Sequence, residues 1–277
     1  MTPFFRKILD WGYLIILIPS VYFTGWIFAN FIKLLGIDIR QDDFEILTIF
    51  LSFLLFIFVV PLLINRRWGI QQPWHELGIK RKKFSSISFQ FLKGLTWALL
   101  FLLIVLVPIH LGGWLTWKLE LSSAGLLNAF LLMIGVGFAE ELIFRGWLWG
   151  ELNQIVGSSV GIFWQAGIFS LVHIRSDIGF VSMISLLTGL FLLGLVLGLM
   201  RRLDQGSLWG CVGLHGGLVG GWFCLNDGFV KISVEAPSLF VGPGGDSSNP
   251  IGGISAIIIL LAMISYQITA LAKAPRP

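Results

Sequence analysis

The chain has 277 residues, of which 56% are hydrophobic and 12% are charged, and its mean hydropathy is +0.87. A soluble domain carries about 25% charged residues, and it could not bury this much apolar surface. The composition therefore excludes a soluble protein and predicts an integral, multi-pass membrane protein. The formal net charge is only +4, which indicates membrane topology rather than nucleic-acid binding.

Eight apolar segments approach the length of about 20 residues that a helix needs to cross the hydrocarbon core. They are residues 11–36, 44–65, 88–112, 123–151, 155–173, 178–200, 207–226 and 252–272. The segments 155–173 and 207–226 are the weakest, because they are rich in glycine and contain histidine. The predicted fold class is all-α: a polytopic membrane helix bundle of about eight transmembrane helices.

Lysine and arginine are distributed unevenly between the two sides of this arrangement. If the N-terminus is cytoplasmic, only five of the 19 Lys and Arg residues fall on the outer side: Lys33, Arg40, Lys118, Arg175 and Lys231. An excess of positive charge marks cytoplasmic loops, so both termini are predicted to be cytoplasmic. Turn-forming residues predict that 241–253 is a flexible outer loop.

Small residues recur at a spacing of four in two of the predicted spans. They are Gly194 and Gly198, and then Gly213, Gly217 and Gly221. This spacing lets neighbouring helix backbones approach closely. Tight packing inside one bundle is the preferred interpretation over a dimer interface, and the oligomeric state stays open.

The fourth predicted span carries three charged residues, Glu140, Glu141 and Arg145. Charges inside a membrane are costly and mark functional sites. On a helix, Glu141 and Arg145 stand at i and i+4 and can pair, whereas Glu140 is turned by about 100°. One glutamate can thus be held by arginine while the other faces a cavity as a general acid or base. The alternative is that the three residues only hold helices together.

Two histidines, His173 and His215, lie inside two other predicted spans. A single buried histidine is usually a structural group. A pair beside intramembrane carboxylates can orient a water molecule and stabilise an oxyanion, or it can complete a metal site with the glutamates. The spacing does not decide between these alternatives, because the residues come from three separate helices.

These residues resemble the motifs of the CAAX protease and bacteriocin-processing (CPBP) family, which includes the type II CAAX prenyl endopeptidases. The run EELIFR, residues 140–145, fits the first motif EExxxR. The residues from Phe169 to His173 fit the second motif FxxxH, and His215 fits the histidine of the third. The ordered set of three motifs is more specific than any one of them, and the resemblance covers roughly residues 74–226.

The resemblance implies an intramembrane endopeptidase that acts on a membrane-associated protein or peptide. Glu140 would activate water together with His173, Glu141 and Arg145 would shape the site, and His215 would help to bind the oxyanion. A divalent metal such as zinc is left open, with Glu140, His173 and His215 as candidate ligands. The chain then divides into an N-terminal two-span region with a basic loop (1–73), a CPBP-like core (74–226), and an outer loop with the C-terminal span (227–277).

Two features do not fit this expectation smoothly. Four residues after His215 the family pattern has asparagine or a comparable polar residue, but this chain has Val219, which cannot donate a hydrogen bond. In addition, the rise along each helix places His173 much farther from the cytoplasmic side than Glu140 or His215. The fifth span must tilt, or begin deeper, for the three side chains to meet.

Three functions remain open at this stage. The first is the endopeptidase, and the second is a catalytically weak or inactive membrane scaffold or chaperone on the same fold, which Val219 favours. The third is a transporter that uses buried carboxylates as proton relays, disfavoured because no internal repeat is visible. The observation that decides most is whether Glu140, His173 and His215 converge around one water or ion, in a cavity open to the cytoplasmic leaflet.

Overall fold

A computed structural model describes residues 3–37, 39–80, 83–243 and 249–274, and of residues 3–7 it describes only the backbone. Part of the predicted outer loop, residues 244–248, lies outside the described residues. The first two and last three residues, on which the prediction of cytoplasmic termini bears, lie outside them as well.

The described residues form helices almost throughout. In chain order the elements are α1 (Pro3–Leu34), α2 (Gln41–Trp68), α3 (Pro73–Glu76), α4 (Phe84–Leu111), β1 (Leu115–Trp117), α5 (Ser123–Glu140), a π-helix (Glu141–Leu148), α6 (Trp149–Val156), α7 (Ser158–Leu171), α8 (Phe180–Leu203), α9 (Trp209–Gly228), β2 (Val230–Ile232), α10 (Ser238–Val241), a 3₁₀-helix (Pro250–Gly252) and α11 (Ile254–Lys273). The predicted all-α helix bundle is confirmed, and a helix lies in each of the eight expected segments.

Six helices among the described residues are long and apolar enough to cross a membrane. They cover Ile8–Leu34, Gln41–Trp68, Phe84–Leu111, Ser123–Val156, Phe180–Leu203 and Ile254–Lys273. Two of the eight expected segments contain helices that do not meet this criterion, α7 and α9. They correspond to the two weakest predicted spans. The helix α7 has only 14 residues, and α9 is rich in glycine and lies between α4 and α5 inside the bundle.

The two ends of the bundle can be distinguished by their contacts. At one end, which we call the basic end, the backbone N–H of Leu208 donates to Gly78 O over 3.1 Å, and Arg67 pairs with Glu151 at 3.2 Å. At the other end, which we call the strand end, β1 pairs with β2 in an antiparallel manner, with Thr116 opposite Lys231. The positive-inside distribution predicts that the basic end faces the cytoplasm.

Glycine lets the helices of the core approach to backbone contact. A Cβ at Gly213 of α9 would lie 2.1 Å from Phe91 O of α4, and one at Gly216 would lie 2.0 Å from Met133 O of α5. The other predicted small-residue positions also lie against neighbouring helices, mostly against side chains, which agrees with packing inside one bundle: Gly194, Gly198, Gly217 and Gly221.

The described parts of the predicted flexible loop 241–253 are packed rather than loose. Val241, Pro250 and Ile251 are buried, and the hydroxyl of Ser185 in α8 donates to Gly252 O. A Cβ at Gly189 of α8 would lie 1.9 Å from Ile251 O. These residues pack closely because a glycine in α8 admits their backbone to direct contact, and the flexibility of the loop stays a prediction.

Candidate active site

The charged residues of the fourth span lie where the helix changes its geometry. The α-helical part ends at Glu140, and the π-helix begins at Glu141 and runs to Leu148. Short π-helical segments are rare and occur frequently at functional sites. The prediction treated this span as a continuous α-helix. The helix begins where the prediction placed it and continues to Val156, five residues beyond the predicted end, but nothing in the sequence pattern indicated the π-helix.

Glu141 and Arg145 form a buried ion pair. The Nη1 of Arg145 donates to Glu141 Oε1 over 2.9 Å, and both side chains are 0% exposed. The guanidinium carbon of Arg145 also lies 4.1 Å from the centre of the Phe169 ring, within range of a cation–π interaction. The pairing expected from the sequence is therefore present.

His215 of α9 is joined to this ion pair. Its Nδ1 lies 2.7 Å from Glu141 Oε1. A carboxylate that already pairs with arginine acts as a hydrogen-bond acceptor, so Nδ1 carries the proton and donates. In the neutral ring Nε2 is then an acceptor, and it lies 3.8 Å from Glu140 Oε2. In this form His215 cannot donate to an oxyanion; only the imidazolium can.

His173 approaches Glu140 from another direction. Its Nδ1 lies 2.7 Å from the carbonyl oxygen of Phe169, which can only accept, so Nδ1 again donates and Nε2 is an acceptor in the neutral ring. The Nε2 atom lies 3.7 Å from Glu140 Oε2. Glu140 and His173 are partly exposed, at 28% and 33% of their side chains, whereas Glu141 is fully buried.

This geometry resolves the expected mismatch in depth between His173 and the other two residues. The helix α7 ends at Leu171, so His173 lies in the turn that follows rather than inside a span. Its hydrogen bond to Phe169 O folds the ring back along the last turn of α7, toward Glu140. All five predicted site residues thus lie in one cluster.

The cluster borders a cavity of about 290 Å³ that is mostly apolar. Glu140, His173 and His215 line it together with hydrophobic side chains such as Phe101 and Leu193. Val219, Trp222 and Asn249 line both this cavity and an adjoining, more polar space of about 500 Å³. We call this second space the vestibule.

The vestibule lies at the strand end of the bundle. Lys118 and Asp227, which also line it, join the segment after β1 to the end of α9 through a 2.7 Å hydrogen bond from Lys118 Nζ to Asp227 O. The cavity therefore extends from Glu140 toward the strand end, which the charge distribution predicts to be the outer side. This differs from a cavity that opens to the cytoplasmic leaflet.

The described residues do not indicate a metal site. They contain no group of three or more His, Cys, Asp or Glu side chains that could hold a metal ion. The Oε2 atom of Glu140 is buried and makes no hydrogen bond to the described residues. We therefore derive no step through a metal.

Arg201, which no sequence pattern distinguishes, supports the ion pair from the basic end. Its guanidinium is buried and donates to Arg145 O, to Glu76 O over 2.6 Å and to Gly206 O over 3.1 Å. In the sequence this residue was counted only as an inner positive charge at the end of a span. Its neighbour Arg202 is exposed, and nothing in the sequence distinguishes the two.

The chain matches two protein-family models. The family described as type II CAAX prenyl endopeptidase Rce1-like matches residues 122–220, more than a third of the chain. A domain of unknown function, DUF8676, matches residues 5–72. No curated protein and no solved structure matches the chain.

The Rce1-like match contains the complete cluster, from Glu140 to His215. The helical fold and this match define a multi-pass integral membrane protein with a peptidase domain. Residues 122–220 are thus similar to the type II CAAX prenyl endopeptidases, and this similarity supports intramembrane proteolysis as the general activity. The family resemblance predicted from the three motifs is thereby confirmed.

Proposed function

We propose that the protein is an intramembrane endopeptidase that hydrolyses a peptide bond in a membrane-associated protein or peptide, with Glu140 as the base that activates water. The observation that carries the proposal is the position of Glu140 Oε2, which faces the Nε2 atoms of His173 and His215 at 3.7 and 3.8 Å. These separations are too long for direct hydrogen bonds and suit a bridging water.

The three atoms are all acceptors when both rings are neutral, so Glu140 and one of the two histidines can accept the two protons of one water, whose oxygen lone pair is then directed at a substrate carbonyl. Glu140 takes one proton as the oxygen attacks the carbonyl carbon. It then returns that proton to the amide nitrogen as the C–N bond breaks. The products are a carboxylic acid and an amine, which ionise to a carboxylate and an ammonium group, and Glu140 is again ionised.

Glu141 and Arg145 keep this arrangement in place without taking part in proton transfer. Arg145 neutralises Glu141, and Glu141 fixes the tautomer and orientation of His215 through the 2.7 Å contact at Nδ1. A histidine held in this way presents Nε2 to the reaction. Adjacent glutamates thus have separate tasks, because one is paired and the other faces the cavity.

The cavity favours an apolar, extended substrate that enters from the strand end. Hydrophobic side chains dominate its lining near Glu140, and the vestibule supplies polar and charged groups farther out. A peptide with an apolar segment beside the scissile bond and a polar flank toward the strand end matches both. Membrane lipid surrounds the bundle and holds such a substrate near the site.

The test compares wild-type protein with Glu140→Gln in lipid nanodiscs, using a library of internally quenched peptides that carry apolar anchors. Glu140→Gln preserves size and removes the base, so turnover is expected to fall by about 10²–10⁴-fold. The matched control is Glu235→Gln, which alters an exposed glutamate outside the helices. Equal turnover by Glu140→Gln and wild type would exclude Glu140 as the base.

The alternative is a catalytically weak or inactive scaffold on the same fold, and it is favoured by Val219, which lines the cavity where the family pattern has a polar residue. A scaffold would retain partner binding and cellular phenotype after Glu140→Gln. Loss of phenotype by a variant that folds and inserts normally would contradict the scaffold.

A further inference from the structure

The cavity has many hydrogen-bond acceptors and few donors. When a peptide carbonyl is attacked, its oxygen becomes negative, and a preorganised donor beside it stabilises the transition state. Glu140 is an acceptor, and the Nε2 atoms of His173 and His215 are acceptors in the neutral rings. Val219 has no donor, so the hydrogen bond to the oxyanion must come from the remaining polar residues of the lining.

Two such side chains line the cavity, Trp222 and Asn249. Trp222 is already engaged in another interaction. The Oδ1 of Asn249 accepts the backbone N–H of Ile251 over 3.1 Å, as the cap of the 3₁₀-helix. Since that partner requires an oxygen, the other half of the amide is the NH₂ group, which makes no hydrogen bond to the described residues.

Asn249 is also held rigidly, as a preorganised donor must be. Its backbone N–H donates to Pro243 O over 2.9 Å, and the following residue pair, Pro250 and Ile251, is buried. Close contact of Ile251 O with α8 at Gly189 fixes the segment against the helix that forms one wall of the cavity.

We propose that the side-chain amide of Asn249 donates a hydrogen bond to the carbonyl oxygen of the scissile peptide, in the task for which Val219 is unfit. This assignment rests on the proposed peptidase function. Asn249 and Val219 line the same cavity and the same vestibule. The hydrogen-bond donor of the cavity therefore comes from the segment before α11 and not from α9. The group recognised is a peptide carbonyl, bound from the strand end.

The discriminating variant is Asn249→Ser, because serine can still cap the 3₁₀-helix but has no side-chain amide and is too short to reach the substrate. We expect kcat to fall by about 10²–10³-fold, the effect of losing one oxyanion donor, with little change in KM and in the thermal unfolding midpoint. The matched control is Asn65→Ser, which alters an exposed asparagine near the end of α2 that lines neither the cavity nor the vestibule, and it is expected to keep wild-type kcat.

A rescue separates a donor from a merely structural residue. Val219→Asn introduced into Asn249→Ser places an amide on the neighbouring wall of the cavity. The kcat of this double variant is expected to be at least tenfold higher than that of Asn249→Ser. A structural defect in the 249–252 segment would not be repaired by a change in α9.

The outcomes of these assays distinguish the two proposals. If Glu140→Gln loses turnover while Asn249→Ser keeps the wild-type kcat, the assignment of Asn249 is overturned and the proposed peptidase function is retained. An unfolding midpoint of Asn249→Ser well below wild type, without rescue by Val219→Asn, also overturns it. Unchanged turnover in Glu140→Gln overturns the proposed function and this assignment with it.

Discussion

The two ends of the bundle are built in opposite ways around the same cluster of residues. At the basic end, buried charges are tied to one another and to backbone carbonyls, as in the Glu141–Arg145 pair and the three bonds of Arg201. At the strand end, charged groups such as Arg175 and Asp177 are exposed and pair with each other. The cavity extends toward the second end, so one side of the site gives rigidity and the other gives access.

This contrast explains how a charged site is tolerated inside an apolar protein. Glu141 and Arg145 are fully buried and fixed by partners on the basic side, whereas Glu140 and His173 keep about a third or less of their side chains exposed toward the cavity. A buried charge that loses its partner is strongly destabilising. The largest energetic effects are therefore expected at the basic end.

The largest effect is expected for Arg145→Met, which leaves Glu141 buried without its counter-charge. Breaking a buried pair from one side costs about 3–5 kcal/mol, and turnover should be lost because Glu141 no longer orients His215. The double variant Glu141→Leu/Arg145→Met should recover much of the stability but none of the turnover. Thermal unfolding in detergent measures the first effect, and a single variant as stable as wild type would show that the pair is not the anchor of the site.

A smaller but clear loss is expected for Arg201→Met. It removes donors from three carbonyl oxygens, those of Glu76, Arg145 and Gly206, and charge-assisted hydrogen bonds contribute about 1.5–3 kcal/mol each. We expect a loss of stability of about 2 kcal/mol or more and slower turnover, since the π-helical turn loses its support. Arg202→Met is the matched control, because Arg202 is exposed and its guanidinium donates to the single carbonyl oxygen of Ser158 among the described residues. Similar losses in the two variants would contradict a special role for Arg201.

The helix α9 connects the two ends, and Gly213→Ala tests how tightly it is fitted. A Cβ at Gly213 would lie 2.1 Å from Phe91 O, so α9 must move away from α4, two residues before His215. Overpacking of this kind costs about 1–3 kcal/mol. Gly135→Ala is the control, because nothing lies within 4 Å of a Cβ there and alanine is the better helix former by about 1 kcal/mol. A stable, active Gly213→Ala would show that the two helices separate easily.

Much of the fold could be predicted because the membrane imposes a simple rule on the sequence. Segments such as 178–200 and 252–272 agree with α8 and α11 within a few residues, since length and hydropathy alone define a span. The short helix α7 and the glycine-rich α9 departed most from that rule, because they are inside the protein, where packing and the site decide their composition. The π-helix at Glu141 left no trace in the apolar pattern.

The candidate site was predicted in part for a similar reason. Intramembrane charges are so costly that Glu140, Glu141 and Arg145 stood out at once, and helix periodicity gave the Glu141–Arg145 pair. The partners that act through backbone atoms were missed. Arg201 looked like an ordinary inner arginine, and Asn249 looked like a residue of a turn-rich loop. Their importance depends on which distant carbonyl or cavity they reach, and local sequence carries no information on that.

The smallest effect is expected at the strand end, for Arg175→Gln. The guanidinium of Arg175 holds the pKa of Asp177 below its ordinary value through a hydrogen bond, so any contribution of this pair exists above that ordinary value and is lost as the pH falls through the lowered pKa. The pair is exposed, and exposed pairs are screened by solvent and contribute little. The unfolding midpoints of Arg175→Gln and wild type should therefore coincide from neutral pH down to the acid range. If Arg175→Gln shifted the midpoint as much as Arg145→Met, the two ends would not differ in the way that their burial requires.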